Sequence, residues 1–540
     1  MTAKLVNFGT GGWQTKNGVS VKGTAYLNGL LLGPEELYAT AKTISSEKEF
    51  ISLLENLNGF FAIIIENENG ILAAVDLARS IPLFYAVEDD VLYLSDKPEI
   101  LRKELGSTAA DEIVRLEFML TGYVTGSDTL ARGIKQLQAG EYLQFSNNRQ
   151  LQTARYFTFS PSPNSSFQKA ELWEGLDRVY AAAAERLVHW AGGRTIVIPL
   201  SGGYDSRFLA VLLKQTGYEN IFTYTYGMSK SAEVMMAQEV ARLLGLPCTL
   251  VEYTNEAWWQ WFHSPEREAY FQYAHNLVSI PQIQDWPAVW GLRKDNLIPE
   301  NAIIVPGYTA NFVSGGHIPR RFCELTRLNK TNFVSEIFQK HYSLWQSTAF
   351  EPELLRELLK RIEAVSVFRL SDECSFEYAA SKYETWEWQE RQAKFIINAV
   401  RVYDFWNYDW WLPFFDAEVV RFWLKVPYEW RIGSHLYIEY AINKYAKAAN
   451  ISLQRASLRA PKQRVDRLTL KTAPYMAARY LFHLITTDKM RQATRKSNSY
   501  GNHPLAIYGI MRKEVFNKYR YEFRNYHSFI SKYFIDGNYF

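Results

Sequence analysis

The stretch TIVIPLSGGYDSRFLAVLL, residues 195–213, joins an apolar strand to a helix through two adjacent glycines. Gly202 and Gly203 cost backbone entropy at a strand end, which predicts that something approaches the backbone closely there. In parallel sheets, ligands bind beyond the carboxyl ends of the strands, close to helix N-termini. The loop 201–206 is therefore predicted to bind an anion through its backbone N–H groups, two serine hydroxyls and the dipole of the following helix.

The composition of the loop narrows the kind of anion. Asp205 would repel a phosphate unless a cation lay between them, so Mg²⁺ is the predicted ion and Asp205 its predicted ligand. The loop lacks the lysine of GxxxxGK[ST] and does not follow GxGxxG, so neither a γ-phosphate cradle nor a dinucleotide site is indicated. A loop that holds the inner phosphates and the pyrophosphate of ATP suits adenylation. The competing interpretation is a tight strand–helix turn without a ligand.

The sequence around this loop alternates between strand and helix patterns. Strands are predicted at 195–200, 221–226 and 249–253, and helices at 172–191, 206–213 and 232–244. This alternation indicates right-handed crossovers and a parallel, doubly wound sheet. From about residue 256 onward, helical patterns with aromatic faces dominate.

The first part of the chain has a different pattern. Asn69-Gly70 joins two β-rich runs and is a strong hairpin signal, and Asp89-Asp90 marks the tip of a second hairpin. Helical stretches at 34–43 and 47–57 interrupt these strands, which predicts an α+β sandwich. The predicted organisation is a first domain at 1–158, a Ser/Pro-rich linker at 159–168, an α/β domain at 169–470 and a basic helical extension at 471–540.

Composition places the chain among ordinary globular proteins. It has 540 residues, of which 47% are hydrophobic and 22% charged, and a net charge of +3. Three widely spaced cysteines indicate neither a disulfide framework nor a zinc site. The N-terminus lacks the apolar core of a signal peptide, and the run FFAIII is too short to span a bilayer. We therefore expect a cytoplasmic protein with no membrane association.

Positive charge is concentrated near the C-terminus. Residues 471–540 contain 12 Lys or Arg against 4 Asp or Glu. Solvated helix faces explain such an excess most simply, and an anionic substrate or a nucleic acid are the sharper alternatives.

Several motifs resemble a known family. LSGGYDS resembles the pyrophosphatase loop of ATP-pyrophosphatases, and LNGFFAIIIEN, LAAVDLARSIPLFY and WWLPFFDAEVVRFWLKVP are similar to segments of class B asparagine synthetases. The resemblance implies a glutaminase-like (Ntn-type) sandwich followed by an adenine-nucleotide alpha hydrolase-like domain with a helical extension. The residues that it implies for ATP binding are Leu200, Ser201, Gly202, Gly203, Asp205, Ser206, Tyr226 and Gly307.

The chain departs from this family at its N-terminus. Glutaminases of the family carry a catalytic cysteine directly after Met1, where this chain has Thr2, and no cysteine occurs before Cys248. We therefore expect no hydrolysis of glutamine. β-Lactam synthetases and lasso-peptide cyclases, which resemble the same family, have also lost this cysteine, and the first domain is then a scaffold.

A second departure lies in IVPGYTANFVSGG, residues 304–316. Tyr308 stands where β-lactam synthetases carry the tyrosine of a dyad that deprotonates the attacking amine, and the resemblance implies Glu390 as its carboxylate, with Glu387 as the nearby competitor. Asn311 replaces an aspartate that normally helps to bind Mg²⁺, which implies a metal held mainly by Asp205 and phosphates or by another acid. Lys462 in RAPKQR is implied to stabilise the charge that develops as the intermediate forms.

These observations predict a ligase that adenylates a carboxylate with ATP and then couples it to ammonia or an amine. The carboxylate belongs to a small molecule, a sugar acid or a peptide. Two options stay open within this class: amidation of a sugar acid in polysaccharide assembly, and intramolecular lactam formation. An RNA-modifying enzyme and a non-catalytic binding protein are alternatives from other classes. The sequence speaks against nucleic acid as a partner and leaves open a homo-oligomer or a pathway partner.

Overall fold

The computed structural model describes residues 4–9, 11–163, 166–325, 328–346, 351–366, 373–459, 500, 503–520 and 522–537. In this part of the chain, no helix combines the length and the apolar character needed to cross a membrane. Lys462 and Thr2 lie outside the described residues, as do residues 471–499 of the basic region at 471–540.

The first part of the chain forms two sheets with antiparallel hairpins. One sheet has the order β1-β8-β7-β9, and the other has the order β11-β10-β6-β5-β3-β2, with β4 paired to β3. Asn69-Gly70 forms the predicted hairpin, since Asn67 of β5 pairs with Gly70 of β6. The strands are β1 Lys4–Asn7, β2 Gln14–Lys16, β3 Val19–Leu27, β4 Leu30–Leu32, β5 Asn58–Asn67, β6 Gly70–Val75, β7 Phe84–Glu88, β8 Val91–Ser95, β9 Lys135–Gln136, β10 Glu141–Ser146 and β11 Leu151–Arg155.

Two apolar clusters fill this α+β part on either side of the larger sheet, because alternate residues of β5 point to opposite faces. Phe61 and Ile63 lie in the cluster that also contains Phe50, and Ala62 and Ile64 lie in the cluster that also contains Leu83. The helices of this part are α1 Pro34–Ala41, α2 Glu47–Asn56, α3 Pro98–Glu104 and α4 Glu112–Thr121.

The second part is built on one parallel sheet, as the alternating pattern predicts. Its order is β14-β13-β12-β15-β16, and every neighbouring pair is parallel. The crossover from β12 to β13 runs through the predicted helix after the glycine loop. The strands are β12 Ile196–Pro199, β13 Ile221–Gly227, β14 Cys248–Glu252, β15 Ile303–Ile304 and β16 Asp409–Trp410.

Helices account for most of the remaining described chain. They are α5 Lys169–Ala191, α6 Tyr204–Gln215, α7 Ala232–Leu244, α8 Asn255–Phe262, α9 Pro265–Ala274, α10 Trp286–Lys294, α11 Ala310–Val313, α12 Arg320–Glu324, α13 Lys330–His341, α14 Pro352–Val365, α15 Phe376–Trp386, α16 Arg401–Phe405, α17 Ala417–Trp423, α18 Tyr428–Arg431, α19 His435–Ala449, α20 Leu453–Ala456, α21 Lys513–Tyr519 and α22 Tyr526–Asp536. A π-helix, Glu387–Ile396, continues α15. Short 3₁₀ turns lie at Ile397–Val400, Pro413–Phe415, Ile432–Ser434 and Ile507–Ile510.

Buried polar contacts join the two parts. The carboxylate of Asp416 accepts hydrogen bonds from Asn58 at 3.1 Å and from Arg186 at 2.8 and 2.9 Å. The side-chain oxygen of Asn58 also accepts the backbone N–H of Ala417 at 2.8 Å. These charge-assisted bonds fix the first part against α17 and α5.

Candidate active site at the carboxyl edge of the parallel sheet

A cleft of about 450 Å³ lies beyond the carboxyl ends of β12, β13 and β15. The location is the one expected for a ligand site in an open parallel sheet, because the loops that follow the strands converge there. The cleft is lined by Pro199, Ser201, Gly202, Gly203, Tyr204, Asp205, Ser206, Tyr226, Glu233, Asp285, Pro306, Gly307, Tyr308, Asn311 and Arg459.

The loop 201–206 is held in shape by its own serines. Ser206 Oγ accepts the backbone N–H of Ser201 and contacts Ser201 Oγ, both at 3.0 Å. Ser201 Oγ also accepts the backbone N–H of Gly203 at 3.2 Å. Gly203 is the N-cap of α6 and no side chain caps this end of the helix. The helix N-terminus, with its partial positive charge, therefore faces a site where an anion is stabilised.

Gly307 is required by the close approach of two chain segments. A Cβ at this position would lie 2.7 Å from the backbone nitrogen of Ser206 and 3.0 Å from the carbonyl carbon of Asp205. Any other side chain would push the segment after β15 away from the loop 201–206. The glycine thus brings the two walls of the cleft together.

Asp205 is a partly buried carboxylate in the first turn of α6. Its Oδ1 accepts the hydroxyl of Tyr437 at 2.9 Å, and the backbone N–H of Asn311 donates to it as well. Burial raises the pKa of Asp205 to about 6, although these two hydrogen bonds and the nearby Arg459 act in the opposite direction. In the described chain no Lys or Arg forms an ion pair with it. A cation bound from the cleft would offset this cost.

Few described side chains near Asp205 could join it in binding a metal ion. Among the described residues, no group of three His, Cys, Asp or Glu side chains could hold a metal ion. Asn311 lines the cleft, but its side-chain oxygen already accepts the hydroxyl of Ser434 at 3.1 Å. Glu233 lines the cleft too and accepts the backbone N–H of Gly202 at 3.3 Å. An ion on Asp205 would therefore complete its shell with phosphate oxygens and water, as Mg²⁺ commonly does.

Tyr308 begins a chain of hydrogen bonds that ends at Asp285, another residue of the cleft wall. Its hydroxyl lies 3.3 Å from that of Tyr403, and Tyr403 donates to Asp285 Oδ2 at 2.7 Å. The other oxygen, Asp285 Oδ1, accepts the hydroxyl of Tyr224 at 2.7 Å. Tyr403, Tyr224 and Asp285 are buried, and Tyr308 is partly exposed to the cleft.

The structure brings most of the sequence-predicted residues to one cleft but not all of them. Leu200 is buried behind the loop, where its backbone N–H donates to Tyr224 O at 2.7 Å. Lys462 lies outside the described residues. The residues that line the cleft as predicted are Ser201, Gly202, Gly203, Asp205, Ser206, Tyr226, Gly307 and Tyr308.

The assignment of Glu390 as the carboxylate partner of Tyr308 needs correction. Glu390 lies on the π-helix, is fully buried and pairs with Lys394 at 2.5 Å. Its Oε2 also accepts the backbone N–H of Gly126 in the first part of the chain at 2.9 Å. The competitor Glu387 is equally engaged, since His317 and His341 contact its two oxygens at 2.7 and 2.9 Å. Neither glutamate lines the cleft.

Four functional candidates escaped the sequence analysis. No local motif marks Asp285, Tyr403 and Tyr437, which come from the N-terminus of α10, from α16 and from α19. Arg459 is the first residue of RAPKQR, a motif from which only Lys462 was singled out. Asp285 is the N-cap of α10, directly before Trp286-Pro287, and a carboxylate ahead of a proline-initiated helix would ordinarily be interpreted as a cap. Its side chain makes no such capping bond and turns to the two tyrosines instead.

Fold and cleft together define an α+β part followed by an α/β part whose ligand site lies at a glycine- and serine-containing loop. Comparison with known proteins finds similarities to parts of this chain. Residues 47–157 match a glutamine amidotransferase domain. The microcin J25-processing protein McjC of Escherichia coli is 26% identical over 202 residues, which are 37% of this chain and 36% of McjC. The alignment thus spans about a third of that relative.

Solved structures give weaker similarities. The NH3-dependent NAD synthetase from Campylobacter jejuni is 14% identical at a TM-score of 0.21, covering 38% of this chain and 100% of that one. The glutamine phosphoribosylpyrophosphate amidotransferase from B. subtilis is 13% identical at a TM-score of 0.19, covering 54% and 62%. These TM-scores are too low to establish a shared fold. The similarities to a glutamine amidotransferase domain and to McjC thus each concern part of the chain.

Proposed function

We propose that this chain is an ATP-dependent carbon–nitrogen ligase that adenylates a carboxylate, releases pyrophosphate and couples the acyl group to an amine. One observation carries the proposal: the loop 201–206 and Gly307 form a cleft at the carboxyl edge of the parallel sheet with the partly buried Asp205 in its wall. In this assignment the backbone of residues 201–206 and the N-terminus of α6 bind the phosphates. Asp205 would hold a Mg²⁺ ion there, which would supply positive charge to offset that of the pyrophosphate.

The second wall of the cleft is assigned to the acyl group and its acceptor. Tyr308 lies there, on the segment that Gly307 brings against the loop. Arg459 lies beside the loop that is assigned to the phosphates, because its guanidinium is 3.8 Å from the centre of the Tyr204 ring. Arg207 anchors the same segment by donating to Ala456 O at 2.7 Å and Leu458 O at 3.1 Å. We assign the following Lys462 to charge stabilisation during acyl transfer, as the resemblance implies.

Of the two acceptors left open, a peptide amine is favoured. McjC is described as a processing protein of microcin J25, and it aligns with about a third of this chain. We therefore propose that the substrate is a peptide whose side-chain carboxylate is joined to its own amine as a lactam. Amidation of a sugar acid by ammonia is the alternative outcome of the experiment below.

The proposal is tested by ATP–pyrophosphate exchange with three probes: a linear peptide with a free N-terminal amine and a glutamate side chain, D-galacturonate with ammonium, and L-aspartate with ammonium. We expect Mg²⁺-dependent exchange with the peptide, AMP as the nucleotide product, and loss of one water from the peptide mass. Exchange only with galacturonate would select the sugar-acid alternative. ATP binding without exchange on any probe, or salt-sensitive binding of RNA in its place, would overturn the ligase assignment.

We further expect no glutaminase activity. Besides Thr2 in place of the cysteine, the segment that follows is folded onto Asp96, whose oxygens accept the backbone N–H of Gly9 at 2.7 Å and the indole N–H of Trp13 at 2.9 Å. Phe8 stacks on Trp13 with ring centroids 4.0 Å apart. Glutamate release from glutamine should equal that of a heat-denatured sample, and Thr2→Ala should leave pyrophosphate exchange unchanged. Release above that background would contradict the scaffold assignment.

A further inference from the structure

The carboxylate of Asp285 is buried and has no role in the ligase function proposed above. It is 1% exposed and lines the cleft, yet within the described chain no Lys or Arg pairs with it. Its partners are two phenols, one on each oxygen. Buried carboxylates normally have a cationic partner or a metal, because the charge is costly to desolvate. A carboxylate held by phenols alone is suited to accept a proton.

The number of phenol protons determines which group donates in each hydrogen bond between Tyr308, Tyr403 and Asp285. A phenol has one proton to donate. Tyr403 donates its proton to Asp285. In the hydrogen bond between the hydroxyls of Tyr308 and Tyr403, Tyr308 must therefore be the donor. The oxygen of Tyr308 then has only acceptor capacity left toward the cleft. Tyr308 therefore selects a donor there, such as an amine N–H, and disfavours a carboxylate or phosphate oxygen.

We propose that Tyr308, Tyr403 and Asp285 form a proton relay that takes the proton from the attacking amine, with Asp285 as the final acceptor. This rests on the proposed ligase function and deepens it. As the nitrogen bonds to the acyl carbon, its proton passes to the oxygen of Tyr308, the proton of Tyr308 passes to Tyr403, and that of Tyr403 passes to Asp285. The C–O bond to AMP breaks with its electron pair leaving on the phosphate oxygen. Amide, AMP and a protonated Asp285 result, so charge and atoms balance.

The surroundings of Asp285 suit this role. Burial raises the pKa of Asp285 to about 6, and the bonds from Tyr403 and Tyr224 moderate that rise. Its carboxylate is thus a stronger base than an exposed one, and it is still ionised near neutral pH. Burial also raises the pKa of Tyr308 far above the usual range of a phenol, so Tyr308 passes protons rather than acting as a phenolate.

The relay is tested by separating the two half-reactions in the variants Tyr308→Phe, Tyr403→Phe and Asp285→Asn, using the probe that supports exchange in the wild-type enzyme. We expect pyrophosphate exchange to stay within about threefold of wild type, whereas amide formation falls by about 10²–10⁴, the usual contribution of a general base. The double variant Tyr403→Phe/Asp285→Asn should be no slower than either single variant, because members of one relay are not additive.

Two controls distinguish chemistry from packing. Hydroxylamine is a strong neutral nucleophile that depends little on a base, so hydroxamate formation should persist in all three variants. Tyr270→Phe removes another buried phenol of the same neighbourhood, one that donates to Gln282 O at 2.7 Å, and should leave amide formation unchanged. Equal loss of exchange, hydroxamate and amide in the relay variants would overturn the relay. So would normal amide formation in Asp285→Asn, while intact exchange would leave the ligase assignment standing.

Discussion

Asp205→Asn should abolish ATP–pyrophosphate exchange and at the same time stabilise the metal-free protein. Exchange should fall by at least about 10³, because Asp205, the carboxylate that the loop 201–206 places in the cleft, loses its charge. The asparagine side chain keeps the shape of the aspartate and can still accept the hydroxyl of Tyr437. The loss therefore reports on charge and metal binding rather than on folding.

The stability gain should depend on pH in a defined direction. Burial raises the pKa of Asp205 from an ordinary 3.8 to about 6, so the folded state binds the proton more tightly than the unfolded state does. The wild-type protein consequently loses stability as the pH rises from about 4 to 6, by about 3 kcal/mol. In EDTA, thermal unfolding of Asp205→Asn should shift upward at pH 8 and coincide with wild type below pH 4.

A matched aspartate supplies the control. Asp177 also accepts a tyrosine hydroxyl, that of Tyr440, but it lies on the exposed side of α5 and pairs with Lys444 at 2.5 Å. Asp177→Asn should keep normal exchange and show no stabilisation at pH 8. Near-normal exchange in Asp205→Asn would show that the metal site has been placed wrongly, and a lower unfolding temperature at pH 8 would show that Asp205 is already compensated in the folded protein.

The largest effect on stability is expected for Arg431→Met. Arg431 and Glu384 form a buried bidentate pair, with nitrogen–oxygen distances of 3.0 and 2.5 Å and side-chain exposures of 0% and 1%. Removing the arginine leaves Glu384 buried without a cation, which typically costs about 3–5 kcal/mol. Burial already raises the pKa of Glu384 to about 7 in spite of Arg431. The loss should therefore be larger at pH 8 than at pH 5, where the carboxyl group can stay protonated.

Chemical denaturation at the two pH values measures this effect. The double variant Arg431→Met/Glu384→Leu removes both charges and should recover most of the lost free energy of unfolding, because apolar groups can replace a buried ion pair. Arg356→Met is the surface control, since Arg356 and Glu353 are 69% and 71% exposed and such pairs contribute less than about 1 kcal/mol. A loss no greater than that of the surface control would show that the buried pair contributes little.

The sequence by itself determined the local features of this protein. The strand–glycine–helix unit at residues 195–213 could be predicted, because the positions of glycine, serine and apolar residues specify a backbone over a few residues. The hairpins of the first part and the alternating strands and helices of the second follow from the same local patterns. Gly307 and Tyr308 were found through a motif resemblance, and both line the cleft.

Only the tertiary structure decided which carboxylate Tyr308 reaches. The family resemblance suggested Glu390, but Glu390 accepts the backbone N–H of Gly126 in the first part of the chain, and Lys394, one turn later on the π-helix, pairs with it. Tyr403 lies 95 residues from Tyr308, and Asp285 lies 118 residues from Tyr403. The spacing of residues along a helix shows on which face of that helix a side chain lies. Its hydrogen-bond partner depends on how separate helices and strands pack, which no local sequence pattern encodes.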